Sequence, residues 1–251
     1  MALPSVLVTG GAKRIGAAIS RAFGDTGWHV VVHYGRSREA AEALAASLPS
    51  AETIGCDLAD EQATEAMAAA LAEKHPDWRA LINSAAVFEL DTHEALDAQV
   101  FGRAVQVNVA APVRLAQAFL SQSRTAGGKR VVNVLDMKLA NPNPDFFSYS
   151  MSKSALASAT RMLAMGAVDD PATRICGLAP GAILPSYDQQ PEEIERSHRM
   201  NLLARKTQAH ELAEAALFLA EGWLASGETL YVDSGQHLLS QPRDVLFLAR
   251  Q

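Results

Sequence analysis

Only two cysteines, Cys56 and Cys176, occur in the 251 residues, and neither has a second cysteine or a histidine placed near it as a metal site would require. A disulfide framework and a zinc centre are therefore not expected, no metal is assigned, and both thiols read as buried and inert. Long apolar runs are also missing, since no stretch approaches the roughly 20 residues that cross a bilayer. The amino terminus passes at once into a strand-like pattern, without the charged, apolar and cleavage regions of a signal peptide. These absences lead to the expectation of a soluble, cytoplasmic protein that does not engage a membrane. Positive charge is not in surplus: 22 Lys and Arg against 28 Asp and Glu leave a net charge of -6. General affinity for nucleic acid is thereby disfavoured, although a local basic cluster can still hold a phosphate. No internal repeat is present, and nothing of low complexity beyond Ala-rich helical segments.

What remains is an ordinary globular composition, 49% hydrophobic and 20% charged. Its length suits one sizeable domain around a single core, residues 1–251. Short apolar runs at Val6 to Val8, Val30 to His33, Thr53 to Gly55, Leu81 to Asn83, Arg130 to Leu135 and Arg174 to Leu178 each follow a helix-like stretch. That rhythm predicts βαβ units and a parallel sheet. The runs do not alternate with polar residues, as expected of strands covered by helices on both faces. Arg38 to Ser47, Glu61 to Lys74 and Glu211 to Ala220 carry apolar residues at three- and four-residue spacing and predict amphipathic helices. The Pro- and Gly-containing stretch Ala179 to Gln190, followed by the polar helical segment Pro191 to Ala204, interrupts the rhythm. It reads as a lid-like insertion over a substrate, at about 182–205, and Gln241 to Gln251 reads as a tail.

Thr9-Gly10-Gly11-Ala12-Lys13-Arg14-Ile15-Gly16 lies between the first strand and the first helix, where glycines allow a tight turn and helix amides face a pyrophosphate. Dinucleotide binding follows. The second strand ends His33-Tyr34-Gly35-Arg36-Ser37, with no acidic residue for the ribose hydroxyls of NAD. Arg14, Arg36 and Ser37 instead suit a 2′-phosphate, so NADPH/NADP+ is the expected cofactor. Further on, Ser148-Tyr149-Ser150-Met151-Ser152-Lys153 places a phenol and an ammonium four residues apart, on one face of a helix. The ammonium favours the phenolate, which makes Tyr149 a candidate acid.

The TGGAKRIG loop, Asn83-Ser84-Ala85, Asn108, YSMSK and Pro180-Gly181 together resemble the short-chain dehydrogenase/reductases over nearly the whole chain. The resemblance implies a single Rossmann-type, doubly wound α/β sheet and an assembly of four identical subunits, with the apolar tail Val245 to Leu248 packed on its own or a neighbouring subunit. It implies that Tyr149 donates the proton, that Lys153 binds the nicotinamide ribose and lowers the tyrosine pKa, and that Asn108 holds a water in the relay. Asp57 and Leu58, after the third strand, match the family's adenine-contacting position, although an Asp in a loop is otherwise usually a cap. Asn83 and Ala85 would line the adenosine side.

The family's catalytic serine falls 13 residues before Tyr149, and here that position is Asp136. An aspartate there, with the GAKR loop and the HYxRS strand end, resembles the pteridine and dihydromonapterin reductases. Phe88 matches the aromatic ring those enzymes stack on the pterin, though a phenylalanine at this place can equally be a core side chain. Asp136 would bind or relay a proton to the substrate, or mark a degenerate site. Three functions stay open: NADPH-dependent reduction of a pterin or dihydropterin C=N bond, a general carbonyl or 3-oxoacyl reductase, and a silent NADPH-binding regulatory or scaffold module.

Overall fold

The computed structural model describes residues 3–186 and 189–251. Its centre is a seven-stranded, all-parallel sheet of β1 (Ser5–Thr9), β2 (His29–Tyr34), β3 (Ala51–Gly55), β4 (Trp78–Asn83), β5 (Arg130–Val134), β6 (Arg174–Pro180) and β7 (Thr229–Val232), in the order β3-β2-β1-β4-β5-β6-β7. The six strands expected from the sequence are present. The seventh, Thr-Leu-Tyr-Val at the sheet edge, is half-buried along its length and gives too short an apolar run to stand out. The sense of winding reverses between β1 and β4, which opens a crevice at the carboxyl ends of those strands, where open α/β sheets bind ligands.

Alternate residues of the strands feed two different cores, which explains the uninterrupted apolar runs. Val6, Val8, Val30, Val32 and Ile82 pack beneath α1 (Arg14–Asp25), α2 (Arg38–Ala46) and α8 (Ala209–Glu221). Leu7, Val31, Leu81, Val131 and Ile175 pack on the other side against α3 (Glu61–Lys74) and α5 (Ala111–Gln122). Phe119 is fully buried there, its ring 4.8 Å from that of Trp78. Truncation of such a phenylalanine to alanine costs about 3–5 kcal/mol. Cys56 belongs to the second core and Cys176 to the first, both as free thiols. Burial pushes the Cys176 thiol up to about 11, so it stays protonated.

Helix α4 (Ala98–Val105) runs into α5 through a π-helical turn, Gln106–Ala110, closed by a bond from the Ala111 N–H to the Gln106 carbonyl. Pro112 follows immediately and has no N–H to offer an α-helical turn; the wider turn removes that demand. Asn108 sits in this turn. Helix α6 (Phe147–Gly166) carries the Tyr149–Lys153 pair, and among the described residues no helix is long and apolar enough to cross a membrane.

In the segment 182–205, α7 covers only Pro191–Ser197, so the helix expected to reach Ala204 ends early. Asn201 explains the stop: its amide donates to the carbonyls of His198 (2.9 Å) and Arg205 (2.7 Å), giving the backbone a local alternative to the helix. Residues 187–188 of this segment lie outside the described residues. The tail forms a final turn, α9 (Val245–Leu248), whose Val245 and Leu246 are buried within the same chain.

Candidate active site

The glycine loop follows from close packing as much as from conformational freedom. Gly10 adopts φ +62°, and a Cβ added to it would lie 3.0 Å from the Ala85 Cα; at Gly16 it would lie 2.2 Å from the Gly10 carbonyl oxygen. Helix α1 therefore starts hard against the end of β1. Its N-terminal Lys13 makes no side-chain cap, and no acidic residue occupies the first turn, so the leading amides and the positive end of the helix face the crevice. Lys13 and Arg14 are exposed beside them, and this is a cradle that fits a diphosphate.

A cavity of about 650 Å³ runs from this loop along the strand ends. Gly10, Lys13, Arg14, Ile15 and Gly16 line one end; Phe88, Asp136, Tyr149, Lys153, Pro180 and Gly181 line the remainder, with Ser84 and Ala85 in its wall. The sequence-level candidates are thus largely brought together, but several serve the site from behind it. His33 is buried: its Nδ1 accepts from the Gly10 N–H (3.0 Å), which leaves Nε2 to donate to the Cys56 carbonyl (3.0 Å). Burial lowers the His33 pKa, consistent with that neutral form. The His33 side chain thus supports the glycine loop. The side chains of Tyr34 and Leu58 are likewise buried in the core. Asp57 is exposed at the tip of β3 and accepts the Ala59 N–H (3.0 Å), the ordinary loop role of an aspartate. Arg36 is exposed and Ser37 half-buried at the tip of β2, outside the cavity lining.

Asn83 is buried and donates to Asn133 Oδ1 (2.8 Å) and the Pro112 carbonyl (3.3 Å), locking β4 to β5. Thr9, which the motif reading passed over, accepts the Ser84 and Ala85 amides on its hydroxyl (3.0 and 3.1 Å) and so fixes the turn after β4. Asn108 is fully buried. Its Oδ1 accepts the Val87 N–H (2.8 Å), and its amide donates to the Val87 carbonyl and to Ser152 Oγ (both 3.0 Å). Both amide protons are engaged, and the side chain joins the Phe88 loop to α6.

Asp136, Tyr149 and Lys153 meet between β5 and α6. Tyr149 Oη donates to Asp136 Oδ2 at 2.9 Å, and Asp136 Oδ1 accepts the Lys138 N–H at 2.9 Å. Burial raises the Asp136 pKa against the opposing pull of Lys138 and of the two hydrogen bonds. Burial, and then the Asp136 carboxylate, hold the Tyr149 phenol well above its ordinary value. The Lys153 ammonium donates to the Val134 carbonyl (2.6 Å) and lies 5.6 Å from the centre of the tyrosine ring. Burial brings Lys153 down to about 8.

Phe88 stacks on Phe146 (centroids 4.1 Å apart, planes at 22°) and presents an edge contact to Tyr149 (4.6 Å, 79°). Phe146 precedes α6 in the left-handed region, at φ 53°. The start of α6 is held by Asp91, which accepts the Ser148 N–H (3.0 and 3.1 Å) and hydroxyl (2.5 Å). The sequence offered no signal for Asp91, 57 residues away from its partner. Nor did it mark Lys138 and Asp244, which meet at 2.6 Å in the cavity wall.

At the opposite ends of the strands, His29, Glu52 and His75 bring three potential ligand atoms within 4.8 Å of one another. The two imidazoles are stacked (5.0 Å, 28°), and Glu52 bonds His75 and pairs with Lys74.

A family model described as enoyl-(acyl carrier protein) reductase matches residues 10–237. The chain belongs to the short-chain dehydrogenase/reductase family. A putative ketoacyl reductase 2 of the granaticin polyketide synthase from Streptomyces violaceoruber is 28% identical over 243 residues, covering 94% of this chain and 97% of its own. Short-chain dehydrogenase reductase 5 of Arabidopsis thaliana is 32% identical, covering 92% and 93%. Among solved structures, FolM alternative dihydrofolate reductase 1 from Brucella suis, in complex with NADP, is 33% identical with a TM-score of 0.88, covering 95% of this chain and 96% of that one.

Proposed function

We propose that this oxidoreductase uses NADPH to reduce a C=N bond of a pterin or dihydropterin. The observation that carries the reading is the Asp136 carboxylate hydrogen-bonded to the Tyr149 hydroxyl at 2.9 Å, in a cavity where Phe88 offers an aromatic ring for a flat heterocycle. The glycine loop, the open start of α1, and Lys13 with Arg14 fit the diphosphate, and Arg14 and Arg36 supply donors for a 2′-phosphate in the absence of an acid at the end of β2. Brucella FolM, a structural neighbour, binds NADP. Bound NADPH supplies the hydride. Tyr149 donates a proton to the ring nitrogen, so hydride and proton together saturate the bond, and Asp136 orients the phenol or returns its proton. Lys153 holds a positive charge at the floor of the site. The segment 182–205 serves as a lid, contributing Ala182, Ile183, Leu184 and Ser186 to the cavity wall.

The similarity to a putative ketoacyl reductase favours one other reading, reduction of a simple carbonyl. NADPH oxidation with a panel of 7,8-dihydropterins, pterins and ketones separates them: turnover of pterins with ketones inert supports the proposal, the reverse pattern replaces it, and cofactor binding without any turnover leaves a binding module. We further propose a cytoplasmic homotetramer. Met162, Met165 and Val168 stand exposed along and just beyond α6, a surface suited to burial against another copy. A monomer at micromolar concentration by light scattering counts against this.

A further inference from the structure

We propose that His29, Glu52 and His75 form a divalent transition-metal site, suited to zinc, that clips β2, β3 and the end of α3 together at the sheet end remote from the cofactor cavity. In the sheet register Val31 pairs with Glu52, and residues two apart on a strand share a face, so His29 and Glu52 lie on one face. Val31 packs in the core that α3 covers, which fixes that face as the one beneath α3. Helix α3 stops at Lys74, and His75, its cap residue, donates its N–H to the Leu71 carbonyl (2.9 Å). The fold thus gathers three ligand types across two intervals of 23 residues (29 to 52 and 52 to 75), a spacing with no local metal signature.

The cluster also contains an open donor. His29 Nδ1 lies 2.8 Å from Ser50 Oγ, whereas its Nε2 is buried and has no hydrogen-bond partner among the described residues. A buried ring nitrogen without a partner is unfavourable, and a metal ion removes the deficit. With Nδ1–H donating to Ser50, Nε2 carries the lone pair, which is the tautomer and the outer support that a metal-bound imidazole needs. Burial, and then His75, lower the His29 pKa, so the ring is neutral near pH 7. Glu52 brings the negative charge: against the opposing effect of burial, bonds from Lys74 and His75 hold its pKa below the ordinary value.

His75 Nε2 meets Glu52 Oε1 at 2.8 Å, and the three ligand atoms lie within 4.8 Å of one another. Tetrahedral zinc, about 2.0–2.1 Å from each ligand, needs them roughly 3.4 Å apart, a difference that side-chain rotation covers. Ser50 pins His29, so His75, whose ring is bonded only to Glu52 among the described residues, is the ring that turns out of the stack to aim at the ion. Two imidazoles and a carboxylate, with water in the fourth position, suit zinc, whereas calcium and magnesium take oxygen ligands. The Lys74 ammonium is the competitor for Glu52, and its side chain is 63% exposed, free to move into solvent.

The test uses the full chain, stripped with a chelator and titrated with zinc chloride by calorimetry and with cobalt chloride by visible absorption, whose d–d bands report ligand geometry. One equivalent of zinc binds per chain, and the Tm rises once zinc exceeds its Kd, because only the folded chain holds the three ligands together. Ser50→Ala, which removes only the support of His29, weakens zinc about tenfold or more, and His29→Ala or His75→Ala weakens it beyond the roughly 100-fold upper end of such indirect effects. Lys74→Gln tightens zinc about twofold or more by releasing Glu52 from a largely exposed pair, a gain that a merely structural cluster does not produce. NADPH affinity stays within about twofold with and without zinc, since roughly 16 Å of β2 separates the site from Tyr34, and this keeps the result distinct from the proposed reaction. Circular dichroism establishes that each variant is folded; if His29→Ala is not, His75→Ala and the gain in Lys74→Gln decide. No binding to wild type below about 100 µM zinc, binding that survives loss of the histidines, or weaker binding in Lys74→Gln would overturn the inference.

Discussion

Asp136→Asn removes a charge from the centre of the site while keeping its shape. In the wild type, ionising Tyr149 places a phenolate against a carboxylate and breaks a 2.9 Å hydrogen bond that the carboxylate accepts. Burial is the largest cause that holds the Tyr149 phenol well above its ordinary value, and both of these effects add to it. In the variant, the asparagine amide can donate to the phenolate, so the sign of the change is downward. A hydrogen bond to a charged group contributes about 1.5–3 kcal/mol. The Tyr149 pKa should therefore fall. Only four tyrosines are present, so ultraviolet difference titration of tyrosinate, with Tyr149→Phe as the blank, resolves the step. The same variant should lose dihydropterin turnover by about 10²-fold or more, within the range of a lost proton-transfer partner, with NADPH affinity intact. An unchanged tyrosinate titration, or full turnover, would refute the coupling of Asp136 to Tyr149.

Tyr149→Phe, which keeps the ring contacts with Phe88, should lower kcat by about 10²–10⁴-fold and leave the NADPH dissociation constant within about twofold, read by cofactor fluorescence. Lys153, brought down to about 8, binds fewer protons folded than unfolded between that pH and its ordinary 10.5. Linkage then makes the Lys153 contribution to cofactor-free stability rise with pH across that window, while the raised Cys176 and Tyr149 act in the opposite sense; in denaturant titrations the stability of wild type relative to Lys153→Met should therefore rise with pH across it. Arg36→Ala should weaken NADPH about tenfold or more while changing NADH little, as expected of lost phosphate pairing; equal losses for both cofactors in steady-state kinetics would remove Arg36 from 2′-phosphate recognition.

The sheet was legible because its strands are apolar on both faces, and the loop and Tyr149–Lys153 motifs were legible because their spacing is local. What escaped the sequence was pairing at a distance. His33 and Asn108 look like site residues by position, yet their side chains are consumed by Gly10, Cys56, Val87 and Ser152. Asp91, Lys138 and Asp244 look like ordinary charges until the fold brings Asp91 to Ser148, and Lys138 to Asp244. The expected reach of α7 failed for a similar reason, since one asparagine side chain outcompetes the backbone pattern.

Phe146 bears on how firmly the catalytic helix is set. A bulky residue in the left-handed region carries a backbone cost of about 1–3 kcal/mol, and glycine would be spared it. Yet glycine at this place would forfeit the ring packed between Phe88 and Phe247 and near the Lys138 ammonium. The position thus exchanges chain comfort for a rigid hinge post: the Phe88 loop, the tail and the first turn of α6 are all referenced to one aromatic side chain. Disturbance at any of the three is transmitted to the placement of Tyr149, three residues along.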